Sequence, residues 1–486
     1  MSRIGIVAEF NPLHTGHKYL IDYAKNSLGA DSVVIALGNE FTQRGGIALI
    51  DRYSRAQSAI DAGADLVIGM PVIPSCASAE IFAESGVALL SACGCDKIIC
   101  GYEGIKPDYK ENDAKIKDII FELQDIQKNT ITKCNTTSET RELSVFENLE
   151  RVILRKSAFI LIEEPLLYKE ELRRCLKSGM SFPVARNEAL LAYFPSCKNE
   201  IDYFLKEPNN ILALEYQKAI IRCTPSIELV PVKRQGAGHH DMTAEGGYAS
   251  ASYIREAVQA GRLNDIRPQL TEASFEILRD AFQKNILLFD DDLSLPLHLA
   301  LLSNEKSDNH LDSLSNNTLK VHLDSSDDSC KNMNSISNKS GGYSVFSDVS
   351  DDLSDRIKKM LPEYVSFSQF ADLLKNKSLT ASRIRRCLIH ILLGITDSEV
   401  EELRHTNFAP YLWVLSASKG GLSILGDIKS SSNLPLFFSI NEKAAEEAEP
   451  FLQPELKALN IARALRIEKS RLSLPNENQR KISLNY

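Results

Sequence analysis

Near its N-terminus the chain reads Gly5-Ile-Val-Ala-Glu-Phe-Asn-Pro-Leu-His-Thr-Gly-His17. The apolar start of this stretch predicts a short β-strand over Ile4–Ala8, and apolar residues at helical spacing predict an amphipathic helix over Gly16–Leu28. A proline-containing turn and the motif H-x-G-H lie between the two. The free N–H groups and the positive dipole end of a helix N-terminus suit phosphate groups.

The two histidines of this motif, His14 and His17, are three residues apart at the start of the helix. Both can therefore face one phosphate and donate to the charge that develops on an α-phosphate and on its bridging oxygen. Gly16 has no Cβ, so a nucleotide can approach the backbone closely. Taken alone, a bare H-x-G-H string favours a helix cap with two surface histidines. Its position between a strand and a helix favours nucleotide binding.

The pattern continues outward as alternating strands and helices. Further strands are predicted over Val33–Leu37, Leu66–Gly69 and Lys97–Cys100, and helices over Asp51–Ala62 and Ser78–Ala92. This alternation predicts an α/β fold with a Rossmann-like parallel sheet and crossover helices. Ligands of such sheets bind beyond the carboxyl ends of the strands. One rim should therefore contain the segments Glu9–His17, Gly38–Arg44 and Gly101.

The second half of this domain offers another phosphate-binding element. A helix is predicted over Asn210–Arg222, a strand over Glu228–Val232 and a helix over Ser252–Ala260. The last helix opens with Ser250-Ala-Ser252-Tyr-Ile-Arg255, which resembles the S-x-T-x-I-R motif of nucleotidyltransferases with an H-x-G-H signature. Ser252 and Arg255 would hold a departing pyrophosphate. The alternative is a serine-capped helix with a solvated arginine.

Composition predicts how the chain is divided. We expect a catalytic domain over 1–262 with an insertion at about 106–160, a helical connection over 263–302, a low-complexity and disordered acidic insertion over 303–352, a helical basic region over 353–440, and a tail over 441–486. Residues 303–352 contain nine acidic residues and four lysines, whereas Arg356–Gly394 contains eight basic and two acidic residues. The formal net charge of −9 therefore does not exclude nucleic acid as a partner.

Other classes of protein are disfavoured. No apolar run is long enough to span a bilayer, and the N-terminus lacks the features of a signal peptide, so a cytoplasmic protein without a membrane partner is predicted. The ten cysteines are expected to be reduced. Cys93, Cys95 and Cys100 lack zinc-site spacing, and the adjacent His239 and His240 do not favour convergence on one ion. No metal held by protein side chains is expected.

Several motifs, taken in order, resemble the tRNA(Met) cytidine acetate ligases. The family pattern G-I-x-x-E-[YF]-N-P-[FL]-H-x-G-H matches the opening stretch. Further matches are Gly38-Asn39 with Gln43-Arg44-Gly45, Asp51-Arg-Tyr-Ser-Arg-Ala56, Gly63-Ala-Asp-Leu-Val67, Ser78-Ala-Glu80, Ser181-Phe-Pro-Val-Ala-Arg186, Pro208-Asn-Asn-Ile-Leu212 with Glu215-Tyr216, and Lys233-Arg-Gln-Gly-Ala-Gly238 with His240-Asp241. The resemblance covers nearly the whole chain except about 106–160, 303–352 and the part beyond 440.

The resemblance implies an enzyme that uses ATP and acetate to form acetyl-adenylate and then acetylates N4 of the wobble cytidine of elongator tRNA(Met). Mg²⁺ is expected on the phosphates with few protein ligands. His14 and His17 would be catalytic, and Gln43 and Arg44 would lie at the substrate rim, near the acyl group or the cytidine. The implied ATP-binding residues are Val7, Ala8, Glu9, Phe10, Asn11, Pro12, Leu13, His14, Thr15, Gly16, His17, Lys18, Tyr19, Leu20, Gly101, Asn209, Arg234, Ser252 and Arg255.

Simpler roles are open for several of these residues. Gly101 could be a strand-end turn, Asn209 is expected also to cap a helix that begins near Ile211, and Arg234 could be a surface residue. Asp51, Arg52 and Arg55 are interpreted as cap and solvated-face residues rather than as catalysts.

The chain departs from the family in its basic C-terminal motif. The family pattern is roughly K-T-K-R-Y-T-x-[ST]-R-I-x-R, whereas this chain reads Lys375-Asn-Lys-Ser-Leu-Thr-Ala-Ser-Arg-Ile-Arg-Arg386, which lacks one basic and one aromatic residue. The residues expected to bind tRNA are Lys375, Lys377, Arg383, Arg385 and Arg386. The arginines could instead form the solvated face of an amphipathic helix.

Two alternative functions stay open on the sequence alone. The first is a nucleotidyltransferase that acts on a small phosphorylated metabolite, which would not need the basic helical region. The second is a non-catalytic RNA-binding protein that retains a nucleotide pocket, against which the intact His14, Gly16, His17 and Arg255 argue.

Overall fold

The structure, a computed structural model, describes residues 2–105, 145–195, 198–224, 226–234, 250–315, 342–376, 379–480 and 484–485. Its strands are β1 (Arg3–Ala8), β2 (Ser32–Leu37), β3 (Leu66–Gly69), β4 (Lys97–Tyr102), β5 (Glu228–Lys233), β6 (Leu412–Ser418), β7 (Leu436–Phe437) and β8 (Leu484–Asn485). They form one sheet in the order β5-β4-β1-β2-β3-β6-β7, and β8 pairs with β6.

Strands β1–β5 are parallel to one another, and β1 lies between β2 and β4. Chain order therefore reverses at β1, since β2 and β3 follow on one side and β4 and β5 on the other. In open α/β sheets, ligands bind in the crevice beyond the carboxyl ends of the strands at such a point. The end of β1 at Ala8 leads directly into the H-x-G-H loop.

The helices are α1 (Thr15–Asp22), α2 (Arg52–Asp61), α3 (Val72–Ser75), α4 (Ala79–Ala92), α5 (Val145–Glu163), α6 (Leu166–Lys177), α7 (Phe182–Leu191), α8 (Lys198–Phe204), α9 (Pro208–Cys223), α10 (Ala251–Gln259), α11 (Glu272–Gln283), α12 (Ser294–Ser315), α13 (Asp351–Met360), α14 (Phe367–Leu373), α15 (Ala381–Leu393), α16 (Asp397–Arg404), α17 (Lys419–Ser431), α18 (Lys443–Glu446) and α19 (Glu449–Ser470). A π-helical turn, Tyr23–Ser27, extends α1, and 3₁₀ turns occur at Leu263–Gln269, Asp290–Leu293, Tyr343–Val345 and Leu361–Glu363.

Both faces of the sheet are buried. Alternate residues of each strand point to opposite faces, so each strand contributes to two cores. On one face, Val34 and Ala36 of β2 belong to a core shared with α4 and α9. On the other face, Val33 and Ile35 belong to a core that also contains Ile21 of α1. Continuous apolar strands are typical of a parallel sheet covered on two sides. This packing fixes the strand ends that form the rim.

The Rossmann-like α/β fold predicted from the sequence is confirmed, and the elements of the first domain begin and end within a few residues of the predicted limits. The sequence analysis missed one feature of the sheet. β6, from the otherwise mostly helical C-terminal region, pairs antiparallel with β3, so Leu66 lies opposite Ala417. The C-terminal region is therefore joined to the catalytic sheet as well as to its helices.

Parts of the predicted domain scheme are described by the structure. The described end of the 106–160 insertion forms α5, which packs against α9 through residues such as Ile153. Of the predicted 303–352 insertion, residues 316–341 lie outside the described residues. Its two described ends are ordered: 303–315 continues α12, and Tyr343 is fully buried in the core of α12–α15. The domain boundaries themselves remain a prediction.

No helix in the described ranges combines the length and the apolar character needed to cross a lipid bilayer.

Candidate active site

The H-x-G-H loop caps α1 with its own histidines. His14 is the N-cap residue, and its Nδ1 accepts a hydrogen bond from the Gly16 amide at 3.1 Å. Nδ1 of His17 accepts in return from the His14 amide at 3.3 Å. The two bonds form a reciprocal capping box that satisfies two amides at the helix start. The predicted surface cap is therefore present, but His14 itself is buried.

These bonds determine which ring nitrogen is the donor. Nδ1 of each ring accepts an amide hydrogen, so the proton of the neutral imidazole lies on Nε2. The rings stack with centroids 3.8 Å apart. Burial, together with Arg234 and Arg255, lowers the pKa of His14 to about 3. Burial, His14 and Arg234 hold the pKa of His17 well below its usual value. Both histidines are thus neutral Nε2–H donors at pH 7.

Arg255 connects the start of α10 to the same loop. Its Nη1 donates to the Asn11 carbonyl at 3.0 Å, and its Nη2 donates to the Ser252 hydroxyl at 3.1 Å. Ser250 is the cap, because its hydroxyl accepts from the Tyr253 amide at 3.2 Å. Arg255 therefore lies beside the loop rather than in solvent. The two predicted phosphate-binding motifs meet at one place.

A third group lies at the carboxyl ends of β4 and β5. A Cβ on Gly101 would lie 3.3 Å from Cγ of Arg234, so the glycine allows this arginine to cross the strand end. Nη1 of Arg234 lies 3.7 Å from Glu103, and the Asn209 amide donates to the same carboxylate. Glu207, not Asn209, is the N-cap of α9, so the expected cap role of Asn209 is wrong. The sequence analysis did not select Glu103.

The predicted substrate-rim residues follow β2 and lie beside the H-x-G-H loop. The Gln43 amide donates to Oε1 of Glu9 at 2.7 Å, which ties the loop after β2 to the end of β1. The side-chain amide of Gln43 donates to the Ala77 carbonyl at 3.5 Å. Arg44 is exposed. Burial, together with the positive charge of Arg44, lowers the pKa of Arg255.

The remaining predicted ATP-binding residues lie around the end of β1. Val7 and Ala8 are the last residues of the strand. Phe10 has a left-handed backbone conformation. The centre of its ring lies 4.9 Å from the centre of the His17 ring. Pro12 and Leu13 are buried. Thr15, Lys18, Tyr19 and Leu20 belong to the first turns of α1 and are half-buried. The predicted stretch 7–20 is thus one continuous loop and helix start.

The predicted tRNA-binding residues differ in their exposure. Lys375 pairs with Asp372, and Arg383 pairs with Asp348 at 2.9 Å, with 40% of its side chain exposed. Arg385 pairs with Asp290, and Arg386 is buried. The alternative of a fully solvated arginine face is therefore wrong for Arg386. Lys377 lies outside the described residues.

Two other arginines were also interpreted as solvated, and that interpretation is wrong. Arg55 is fully buried and donates to the carbonyls of Glu9, Gly38 and Asn39 at 2.7–2.9 Å. Arg52 is buried against Glu455 of α19 at 2.7 Å. The i, i+3 spacing of Arg52 and Arg55 indicates only that both side chains lie on one face of α2. Their burial depends on partners elsewhere in the chain, which spacing does not reveal.

Within the ranges that the structure describes, no group of three or more histidine, cysteine or acidic side chains could hold a metal ion. Burial raises the pKa of the Cys93 and Cys100 thiols to about 12, which keeps them protonated at neutral pH. His239, His240 and Asp241 lie outside the described residues.

A parallel sheet with this switch point and two neutral histidines at the start of its first helix defines a nucleotidyltransferase of the HIGH class. A family model described as HIGH Nucleotidyl Transferase matches residues 1–147, 143–341 and 309–475, which together span almost the whole chain. A solved structure of Thermotoga maritima TmcAL bound with alpha-thio ATP superimposes with a TM-score of 0.75 at 23% identity, covering 100% of both chains.

Curated relatives identify the family more narrowly. The tRNA(Met) cytidine acetate ligase of Thermoanaerobacter sp. strain X514 is 30% identical over 442 residues, covering 91% of this chain and 90% of that protein. The protein of the same name from Halothermothrix orenii is 28% identical over 484 residues, covering 97% and 92%. The chain belongs to the tRNA(Met) cytidine acetate ligase family, as the sequence motifs predicted.

Proposed function

We propose that the chain is an ATP-dependent ligase that activates acetate as acetyl-adenylate and transfers the acetyl group to N4 of the wobble cytidine of elongator tRNA(Met). Membership of the family supports the overall reaction. The single observation that supports the first step most directly is the pair of neutral Nε2–H donors on His14 and His17. An ATP analogue bound to the similar Thermotoga maritima protein also supports ATP as the substrate.

In the first step, an acetate oxygen attacks the α-phosphate of ATP, and the bond from that phosphorus to the bridging oxygen breaks as pyrophosphate leaves. Donors that face the α-phosphate stabilise the charge that develops there. We assign this role to the Nε2–H groups of His14 and His17. Their lowered pKa values suit the role, because a neutral donor needs no proton from solvent.

The other candidate residues have complementary roles in this proposal. Ser252 and Arg255, at the start of α10, would hold the departing pyrophosphate, because guanidinium groups bind phosphates through several N–H donors. Gly101, Asn209 and Arg234 would contact the nucleoside part at the ends of β4 and β5. Mg²⁺ would arrive with the phosphates, since it keeps several waters and uses few protein ligands.

In the second step, the N4 amine of cytidine attacks the acyl carbon, and the bond between that carbon and the phosphate oxygen breaks. AMP leaves, and the amine loses one proton. Gln43 and Arg44 lie on the loop next to the H-x-G-H loop, and we assign them to the acyl and cytidine side. Lys375 and Arg383, the more exposed of the basic candidates, would contact tRNA. These substrates imply a cytoplasmic enzyme.

Acetate-dependent exchange of pyrophosphate into ATP tests the activation step, because exchange requires reversible formation of an acyl-adenylate. We expect exchange with acetate in the absence of tRNA. Exchange without acetate, or with a phosphorylated metabolite in its place, would favour a different nucleotidyltransferase.

A further inference from the structure

The loop that contains Gln43 and Arg44 is held on two sides. On one side, the Gln43 amide donates to Oε1 of Glu9 at the end of β1. Within the loop, the Thr42 and Gly46 backbones pair, because the Thr42 amide donates to the Gly46 carbonyl at 2.9 Å. The loop is therefore an ordered turn rather than a free segment. What holds its other side determines where Gln43 and Arg44 lie.

The other side of the loop packs against the N-terminal half of α15. A Cβ on Gly45 would lie 2.5 Å from the Arg386 backbone nitrogen, and Gly45 has a φ of +76°, which favours glycine. Nε of Arg385 donates to the Gly45 carbonyl at 3.2 Å, and Nη1 of Arg386 donates to the Gln43 carbonyl at 3.4 Å. Two arginines of α15, the basic helix, thus bind the backbone of the loop over residues 42–46, which we call the rim loop.

Asp290 completes this attachment. Its Oδ1 accepts from the Ile47 amide at 3.1 Å, and its Oδ2 pairs with Nη2 of Arg385. A Cβ on Gly46 would lie 2.5 Å from the same Oδ1, so the loop and the carboxylate are in direct contact. The Arg385 guanidinium also lies 4.7 Å from the centre of the Phe367 ring, and 21% of its side chain is exposed. Arg385 and Asp290 therefore act as one unit.

We propose that Arg385 and Asp290 are positioning residues for the acetyl-transfer step, and that Arg385 does not bind tRNA phosphate. They fix the loop so that Gln43 and Arg44 face the acyl group and the amine that accepts it. The proposal rests on the proposed function. It assigns the basic helix two tasks: Arg385 faces inward to the active site, whereas Arg383 faces outward. A shift of about 1 Å at such a loop can cost about 100-fold in rate.

The test compares Arg385→Met, Asp290→Asn and the double variant with Lys469→Met. Lys469 is a matched control, because it pairs with Asp292 at 2.7 Å, two residues from Asp290, with 24% of its side chain exposed and no hydrogen bond to the rim loop. We expect each single variant to lower kcat for acetylcytidine formation about 10- to 100-fold. The double variant should lower kcat no further than either single variant does, because each substitution removes the same Arg385–Asp290 ion pair.

A second readout separates positioning from tRNA binding. If Arg385 only positions the loop, Arg385→Met leaves the dependence of tRNA binding on salt unchanged. A weaker tRNA affinity with a salt slope smaller by about one, at unchanged kcat, would overturn the proposal, because it is the result for a phosphate ligand. An equal loss of kcat in Lys469→Met would also overturn it, because the effect would then be a general loss of stability.

Amide hydrogen exchange tests the attachment without any activity. The Ile47 amide should exchange faster in Asp290→Ala, which has no side-chain acceptor, than in the wild-type protein or in Lys469→Met. Unchanged exchange would contradict the attachment. If the wild-type protein formed no acetylcytidine, the proposed function would fail, and this exchange result would still decide whether Asp290 holds the loop.

Discussion

At the scale of single residues, the central feature is the reciprocal bonding of His14 and His17 to backbone amides. A histidine at a helix start could accept or donate through either nitrogen. Here both Nδ1 atoms accept from amides, so each Nε2–H remains a donor, and neither Nε2 is bonded to another described residue. Capping and chemistry thus use opposite sides of the same rings. Substitutions can separate the two tasks.

His17→Ala removes one Nε2–H donor from the phosphate site. Removing one such preorganised donor typically costs about 100- to 1,000-fold in rate, so we expect acetate-dependent pyrophosphate exchange to fall by at least about 100-fold. His405, which is exposed at the end of α16, gives a control. His405→Ala should exchange at the wild-type rate. Wild-type exchange in His17→Ala, with the fold intact by circular dichroism, would exclude His17 from the phosphate site.

His14 should also make the protein sensitive to acid. Its pKa is lowered from the ordinary 6.5 to about 3, mainly by burial, so between these pH values the unfolded chain binds more protons than the native one. The free energy of unfolding therefore falls as the pH falls from 6.5. Between pH 7 and pH 5 this contribution is about 2 kcal/mol.

His14→Asn tests that acid sensitivity, because asparagine can still cap α1 but does not titrate. Urea unfolding at pH 7 and pH 5 should show a smaller loss of stability for the variant than for the wild-type protein. Equal losses would mean that His14 is not buried in its neutral form.

At the scale of secondary-structure elements, α19 holds the end of β2 through a buried network of charges. Glu455 accepts from Arg52 at 2.7 Å, from the Val72 amide at 2.8 Å, and from the Asn39 side chain. Arg466 of the same helix donates to Glu40 at 2.8 Å. Burial raises the pKa of Glu455 despite the neighbouring Arg52. The helix thus fixes the segment from which the rim loop departs.

Glu455→Gln removes the fully buried carboxylate that pairs with Arg52 and leaves that arginine only Glu477, which lies 3.2 Å from its Nη2. Breaking a buried pair in this way typically costs about 3–5 kcal/mol, so we expect the midpoint of urea unfolding to fall with an unchanged m-value. Glu468→Gln, which removes an exposed pair with Arg471 on the same helix, should change stability by less than about 1 kcal/mol. If both variants lost equal stability, the network would not be what holds α19.

At the scale of the whole molecule, charge is unevenly distributed. The chain has a formal net charge of −9, whereas Arg356–Gly394 contains eight basic and two acidic residues. Lys375 and Arg383 are the more exposed basic candidates for tRNA. Charge reversal of both, Lys375→Glu with Arg383→Glu, should weaken tRNA binding about tenfold and lower the salt slope by about two, because each phosphate contact releases roughly one counterion.

A control for this charge reversal is Arg279→Glu with Lys284→Glu, which changes the net charge equally at two exposed residues, one on α11 and one at its C-cap. We expect this control to bind tRNA with nearly the wild-type affinity. If tRNA binding weakened equally in both double variants, the cause would be the overall change in charge rather than the loss of tRNA contacts at Lys375 and Arg383.

Much of the fold was predictable because its signals are local. The spacing of apolar residues predicted β1–β5 and their helices, and the H-x-G-H motif predicted the histidine pair. The structure added what depends on distant partners. Spacing did not reveal that Arg52 and Arg55 are buried, because their partners include Glu455 and the carbonyls of three strand-end residues. β6 was missed because its antiparallel place beside β3 depends on residues more than 300 positions away.

The most direct test of the central claim is mass spectrometry of the nucleosides of elongator tRNA(Met) after incubation with the protein, acetate and ATP. The claim predicts N4-acetylcytidine at the wobble position, which requires both acetate and ATP and forms at least about 100-fold more slowly with His17→Ala. Isotope from labelled acetate should appear in the acetyl group. Absence of acetylcytidine from a reaction with folded protein and all three substrates would contradict the claim.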